Sequence, residues 1–331
     1  MQSIVSKDYK ELKAEIMAQK IYVEELKQHL NKEIISEFLV TQKDLREGTK
    51  DFYIRLTLAD KTGSLPGNVW NNAKVIAEKF NEGDVIQVKG VVISYKTQIQ
   101  LTVNKIIRLE PEECDLADFM EATDKDINKL SDKLFKYIDG INNNYLKELL
   151  LTIFEDKEFY TAFAKAPAAK SWHHNYLGGL LEHTVSVTTI CDFMSVQYPV
   201  DRDLLITGGI LHDIGKVFEY EVKANIEFSV IGRLVGHIPL ADQYVSQKAA
   251  TINNFPSELL MKIRHLILAH HGEYEKASAR LPQTLEAVAL HHADNMDAQT
   301  VGVIQITQKM QKDGAVWSEF DRLNNRYYYL K

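Results

Sequence analysis

Two rhythms of apolar and polar residues divide the chain. From about Lys32 to Leu109 the two kinds alternate. In FYIRLTLAD (52–60), Phe52, Ile54, Leu56 and Leu58 share one face, with Tyr53, Arg55 and Thr57 on the other; a period of two marks a half-buried strand. IISEFLVTQ (34–42), SLPGNVW (64–70), DVIQVKGVVISY (84–95) and QIQLTVNKIIRL (98–109) follow the same rule. NAKVIAEKF (72–80) breaks it as a short helix, closed by the turn NEGD. The predicted order is β-β-β-α-β-β. Beyond the acidic stretch EPEECD (110–115) the spacing changes. KLSDKLFKYI (129–138) and NYLKELLLTIF (144–154) place apolar residues three and four apart, which predicts helices, continuing to about Gln308. The closing NRYYYLK is aromatic and is expected to dock onto them. Residues 1–31 are compatible with a helix, and no role follows from them.

Five strands with a helix between the third and fourth resemble an OB-fold barrel. The fold class read from the chain is therefore α+β and multidomain. An extension (1–31) precedes a five-stranded OB-fold β-barrel (32–110), and an all-α domain follows (111–331, core about 160–300). The barrel face opposite the apolar one carries Tyr53, Arg55, Asn68 and Trp70, with Lys96 near the last turn. Aromatic platforms among polar donors suit sequence-tolerant binding of single-stranded nucleic acid. The competing reading is that Tyr53 and Trp70 pack against a neighbouring domain.

Charge and composition narrow the options. Residues 33–110 carry 11 Lys+Arg against 10 Asp+Glu, whereas residues 111–331 carry 22 against 31. An acidic C-terminal part argues against a coat held on nucleic acid by bulk charge and suits a cluster of metal-binding carboxylates. No window approaches the run of about 18 apolar residues that a membrane span needs, and the first 30 residues lack a signal peptide's apolar core. Cys114 and Cys191 are too few for a disulfide framework or a thiolate zinc site. A cytoplasmic protein is expected.

Ten of the eleven histidines fall between His173 and His292. They occur with acids as EHT (182–184), LHDIGK (211–216), GHI (236–238), LAHHGE (268–273) and LHHADNMD (290–297), each in or beside an apolar helix. One buried histidine is usually a hydrogen-bonded core residue. Five such groups would each add a desolvation cost, and a shared cation removes it. Imidazoles with carboxylates and no thiolate suit manganese, iron, zinc or nickel rather than an all-oxygen magnesium or calcium site.

With these residues in view, His183…His212-Asp213…Asp294 resembles the H…HD…D signature of HD-domain metal-dependent phosphohydrolases. An OB-fold joined to an HD domain is similar to the YhaM-type 3′→5′ exoribonuclease family. HHNYLGGLLEHT (173–184), LHDIGKV (211–217), GRLVGHI (232–238), LAHHGE (268–273), HHADNMDA (291–298) and NNRYYYLK carry the likeness. The resemblance implies that His183, His212, Asp213 and Asp294 hold a first metal, with His237 and His270 completing a second site. Adjacent helical residues point about 100° apart, so Asp213 can bridge the two. His271 stays open between ligand, support and substrate contact, and His291 between ligand and support. One to three divalent ions are implied, manganese first.

Asp213 and Lys216 are the catalytic candidates, the lysine as a phosphate contact. His174 and Arg233 are weaker candidates for touching substrate. The leading function is metal-dependent 3′→5′ hydrolysis of single-stranded RNA to nucleoside monophosphates, its direction implied by the resemblance, with single-stranded DNA as a further candidate substrate. Alternatives are an HD-type hydrolase of cyclic dinucleotides, dNTPs or alarmones, and a non-catalytic nucleic-acid-binding factor. The tract HHGEYEKASARLP lacks the Gly-Tyr-Pro usual after paired histidines in the cyclic-dinucleotide class. A homo-oligomer is compatible with the sequence.

Overall fold

A computed structural model describes residues 20–331 apart from 50, 97, 111–112, 171–173, 223–225, 312–314 and 323. Most of the N-terminal extension, with any helix there, lies outside the described residues. The described residues divide into two compact units, one within 20–121 and one within 122–331.

In the first unit, β1 (Glu33–Glu47), β2 (Phe52–Asp60), β3 (Gly63–Val69), β4 (Val85–Tyr95) and β5 (Gln98–Leu109) close a barrel in the order β1-β2-β3-β5-β4. Only the β3–β5 pairing is parallel among these. The alternation seen in β2 is the reason: Ile54, Leu56 and Leu58 are fully buried inside while Arg55 faces out. Helix α1 (Ala73–Ala77) is shorter than the 72–80 run, because Phe80 leaves the helix to enter the barrel core. The Lys43 ammonium donates to the freed carbonyls of Ala77 and Phe80, meeting the need of a helix C-terminus. Leu26, in the 3-10 helix Val23–His29, is buried in the same core; a fully buried leucine contributes about 1.5–3 kcal/mol. Phe119 is buried against Leu39, Val85 and Leu109, so the segment after β5 packs with the barrel.

The second unit holds α2 (Ile127–Asp139), α3 (Asn144–Phe154), α4 (Lys157–Lys165), α5 (Gly179–Gln197), α6 (Arg202–Leu211), α7 (Lys216–Glu219), α8 (Val230–Val235), α9 (His237–Ala249), α10 (Ser257–Ala269) and α11 (Leu285–Gln311). Asp126, Asn143, Asp156 and Asp201 each cap a helix by accepting from its first backbone N–H groups. One two-stranded hairpin, β6 (Tyr220–Val222) with β7 (Ile226–Phe228), interrupts the helices. Residues 179–185 of α5 and 204–211 of α6 are buried on every side, so these two helices form the middle of the unit. The aromatic tail pairs with residues 316–321, through the bridges Trp317–Tyr329 and Asp321–Arg326. Leu330 is buried, while Tyr327 and Tyr329 remain exposed.

Candidate functional site

Helix ends bring the imidazoles and acids of the second unit together. His212 closes α6, and Asp213 follows it in the tight turn into α7. His237 is the first residue of α9 and His270 caps the end of α10. His183 comes from the buried half of α5, and Asp294 from α11. Gly215 lets α9 approach: a Cβ there would lie 2.0 Å from the His237 carbonyl oxygen.

Two foci result, and Asp213 belongs to both. At the first, His183 Nε2 lies 3.2 Å from His212 Nε2, 3.3 Å from Asp213 Oδ2 and 3.2 Å from Asp294 Oδ1. At the second, Asp213 Oδ1 lies 3.5 Å from both His237 Nε2 and His270 Nε2. His271 joins that group, with its ring centroid 4.4 Å from that of His270 and 5.2 Å from that of His237.

The other ring nitrogens show what these atoms require. Nδ1 of His212, His270 and His271 faces the carbonyl oxygens of Gly209, Ile267 and Lys276 at 2.9, 2.7 and 2.7 Å. A carbonyl only accepts, so each Nδ1 carries the hydrogen and a neutral ring leaves Nε2 bare. Burial, with neighbouring imidazoles, pushes the His271 pKa down to about 3, and burial also lowers that of His270. Those rings are neutral. His237 Nδ1 likewise faces Glu219 Oε1, so His270 Nε2, His237 Nε2 and Asp213 Oδ1 are buried acceptors facing one another, and none has a hydrogen-bond partner among the described residues. Such a grouping costs free energy unless a cation stands among them. Donors about 2.1 Å from one ion, at tetrahedral or octahedral angles, lie roughly 3.0–3.4 Å apart, close to the separations found.

Electrostatics at the first focus agree. Burial works to lower the His183 pKa, but hydrogen bonds to Asp213, Asp294 and Asp297 hold it well above the usual value. Burial would raise the Asp213 carboxyl, yet Lys216, His212 and His183 hold it well below the carboxylate range. Positive charge belongs at this spot, as a proton or a metal ion, and the donor set fits a divalent transition ion.

The remaining candidates divide clearly. Lys216 is buried, and its ammonium donates to Asp213 Oδ2 at 2.6 Å. His174 is also buried, between Tyr176 Oη and Asp297 Oδ2, both at 2.9 Å. Arg233 is exposed on α8, its guanidinium 5.4 Å from the centre of the Phe228 ring. His291 Nδ1 donates to the His270 carbonyl at 2.8 Å. Two buried acids that the sequence reading did not single out complete the surroundings. Asp297 Oδ2 accepts from His183 Nδ1 at 2.7 Å, and Glu219 Oε1 from His237 Nδ1 at 3.1 Å. Asp297 stands one helical turn after Asp294, a spacing that could have revealed it.

On the barrel, Trp70 is 52% exposed and stacks on Tyr53, with centroids 5.0 Å apart and planes 24° from parallel. Arg55 pairs across the ladder with Asn68, whose amide donates to Gln100 Oε1 at 3.2 Å. Arg55, Thr57, Pro66, Gln98 and Ile99 line an open groove beside them. Lys96 is exposed near the β4–β5 turn, its ammonium 5.5 Å from the Tyr95 ring centre.

A closed five-stranded barrel followed by a helical unit with this centre defines an OB-fold and HD-domain protein, a metal-dependent hydrolase. Family models describe the same two parts: an OB-fold nucleic acid binding domain over residues 40–109 and an HD domain over residues 180–299. The chain is 30% identical over 279 residues to the 3′-5′ exoribonuclease YhaM of Geobacillus sp. (strain WCH70), covering 84% of this chain and 85% of that one. It belongs to the YhaM family. Among solved structures, the second OB-fold domain of replication protein A from Methanococcus maripaludis is 22% identical, covering 28% of this chain and 96% of that one, TM-score 0.24. Asparaginyl-tRNA synthetase from Pyrococcus horikoshii is 18% identical over 38% of this chain and 34% of its own, TM-score 0.25. No helix among the described residues is long and apolar enough to cross a membrane.

Proposed function

We propose that the chain is a manganese-dependent 3′→5′ exoribonuclease that shortens single-stranded RNA to nucleoside monophosphates. The observation that carries the reading is the buried Asp213 carboxylate, whose two oxygens face two separate groups of imidazoles. His183, His212, Asp213 and Asp294 would hold one ion, and Asp213, His237, His270 and His271 the other. Two such ions, when bound, acidify a water and neutralise the oxygens of a phosphodiester. The chain's own groups do the rest. Asp213 ties the two sites together, and the Lys216 ammonium fixes its carboxylate while adding positive charge where an anionic phosphate arrives. The relative's 3′-5′ exoribonuclease activity supports the polarity. The stacked Tyr53–Trp70 pair offers a platform common to RNA and DNA bases, and single-stranded DNA is a second substrate.

RNA labelled at its 5′ end tests this directly. With Mn²⁺ it will shorten as a ladder from the 3′ end, and EDTA will stop the reaction. Immediate release of the label as a mononucleotide would reverse the polarity. Activity confined to cyclic dinucleotides or dNTPs would replace the substrate class.

The barrel platform makes its own prediction. Stacking on an aromatic is worth about 1–3 kcal/mol per base. Replacing Tyr53 and Trp70 together with alanine will weaken binding of a long RNA about tenfold or more, leaving cleavage of a dinucleotide unchanged. Equal loss on both substrates would make the pair structural.

A further inference from the structure

His183 and His237 differ from the other imidazoles of the centre in what holds them. His212 and His270 each find a carbonyl three residues back on their own helix, and His271 finds that of Lys276, five residues on. His183 lies inside α5, where carbonyls are already used by the helix, and His237 begins α9, where carbonyls point away. A side chain from another element must orient each ring.

We infer that Asp297 and Glu219 are positioning residues with separate duties, Asp297 serving the first ion through His183 and Glu219 serving the second through His237. Asp297 is buried on α11, where Oδ2 accepts from His183 Nδ1 and His174 Nε2 while Oδ1 accepts from Ser186 Oγ. Glu219 is buried at the end of α7, and its Oε1 accepts from both the backbone N–H (3.0 Å) and Nδ1 (3.1 Å) of His237. Two donors on one oxygen fix the ring's rotation as well as its tautomer. A carboxylate behind a ligating imidazole sets which nitrogen is bare and strengthens it as a donor; losing one lowers metal affinity about 10–100-fold.

This inference rests on the two-ion reading, and Mn²⁺ titration of the metal-stripped full-length chain, followed by electron paramagnetic resonance, separates the two. The wild type will take up two ions. D297N will weaken one site about 10–100-fold and leave the other unchanged, and E219Q will do the reverse. Alanine at either position, which removes the acceptor as well as the charge, will weaken the same site further. D297N will add nothing to H183A but its full effect to H237A, the pattern of coupled and independent positions. Variants that melt at a lower temperature yet keep both affinities, or that weaken the same site equally, overturn the division of duties. A wild type that binds no pair of ions overturns the two-ion reading itself.

Discussion

Alanine at Asp213 will stop RNA degradation, lowering the single-turnover rate by about 10³-fold or more while long-RNA binding persists. The substitution takes one oxygen from each focus at once. Bound ions contribute several kcal/mol of charge stabilisation in phosphoryl chemistry, and about 4 kcal/mol corresponds to three decades of rate. The change also strands the Lys216 ammonium, only 7% exposed, beside the His183 and His212 cluster. Removing one partner of a buried pair costs roughly 3–5 kcal/mol, so unfolding must be distinguished from lost chemistry. D213N keeps the shape, and D213A combined with K216M removes both charges. Both variants will recover much of the melting temperature and none of the rate. Wild-type turnover in any of the three would remove Asp213 from the centre of the mechanism.

The barrel was legible because its strands bury one face. β2 occupies the stretch that alternation marks, and β3, β4 and β5 lie within a residue of theirs. β1 runs on to Glu47, beyond the predicted Gln42, because its last residues pair with β2 through the backbone and bury little. Hydropathy does not register such pairing. The hairpin β6–β7 escaped for the same reason: three residues a side are too few to show a period. The tail was read as docking on the helices from its aromatic content alone. Its backbone pairs with residues 316–321, an arrangement that aromatic content does not announce.

The metal centre shows a parallel division. Histidines beside acids at helix ends stand out in one dimension, since few other reasons gather ten of eleven in 120 residues. What orients them does not stand out. Gly209 and Ile267 act through carbonyls that every residue possesses, and Glu219 resembles any acid near a helix end. Lys216 was expected to meet phosphate, a role suggested by charge and position; its contact with Asp213 depends on the turn made by residues 213–216. Only the folded chain shows that this ammonium also holds the Asp213 carboxylate.

That dependence on hidden supports makes Gly272 a sharper probe than it looks. It follows His270-His271 with a φ of +77°, a left-handed conformation. Alanine there costs about 1–2 kcal/mol for the backbone alone. Its Cβ would also lie 2.2–2.5 Å from three atoms of the His291 ring, so that ring must move. His291 Nδ1 holds the His270 carbonyl at 2.8 Å, and its displacement releases the turn that aims His270 and His271. A shift of about 1 Å in a positioned group can cost around 10²-fold in rate. G272A will therefore lose activity on that scale and weaken the second Mn²⁺ site while sparing the first. Adding H291A opens space for the new methyl but restores neither the φ nor the carbonyl contact, so stability will recover more than activity. If G272A alone kept both ion affinities and full turnover, the support of His270 through His291 would be dispensable, and α10 alone would aim His270.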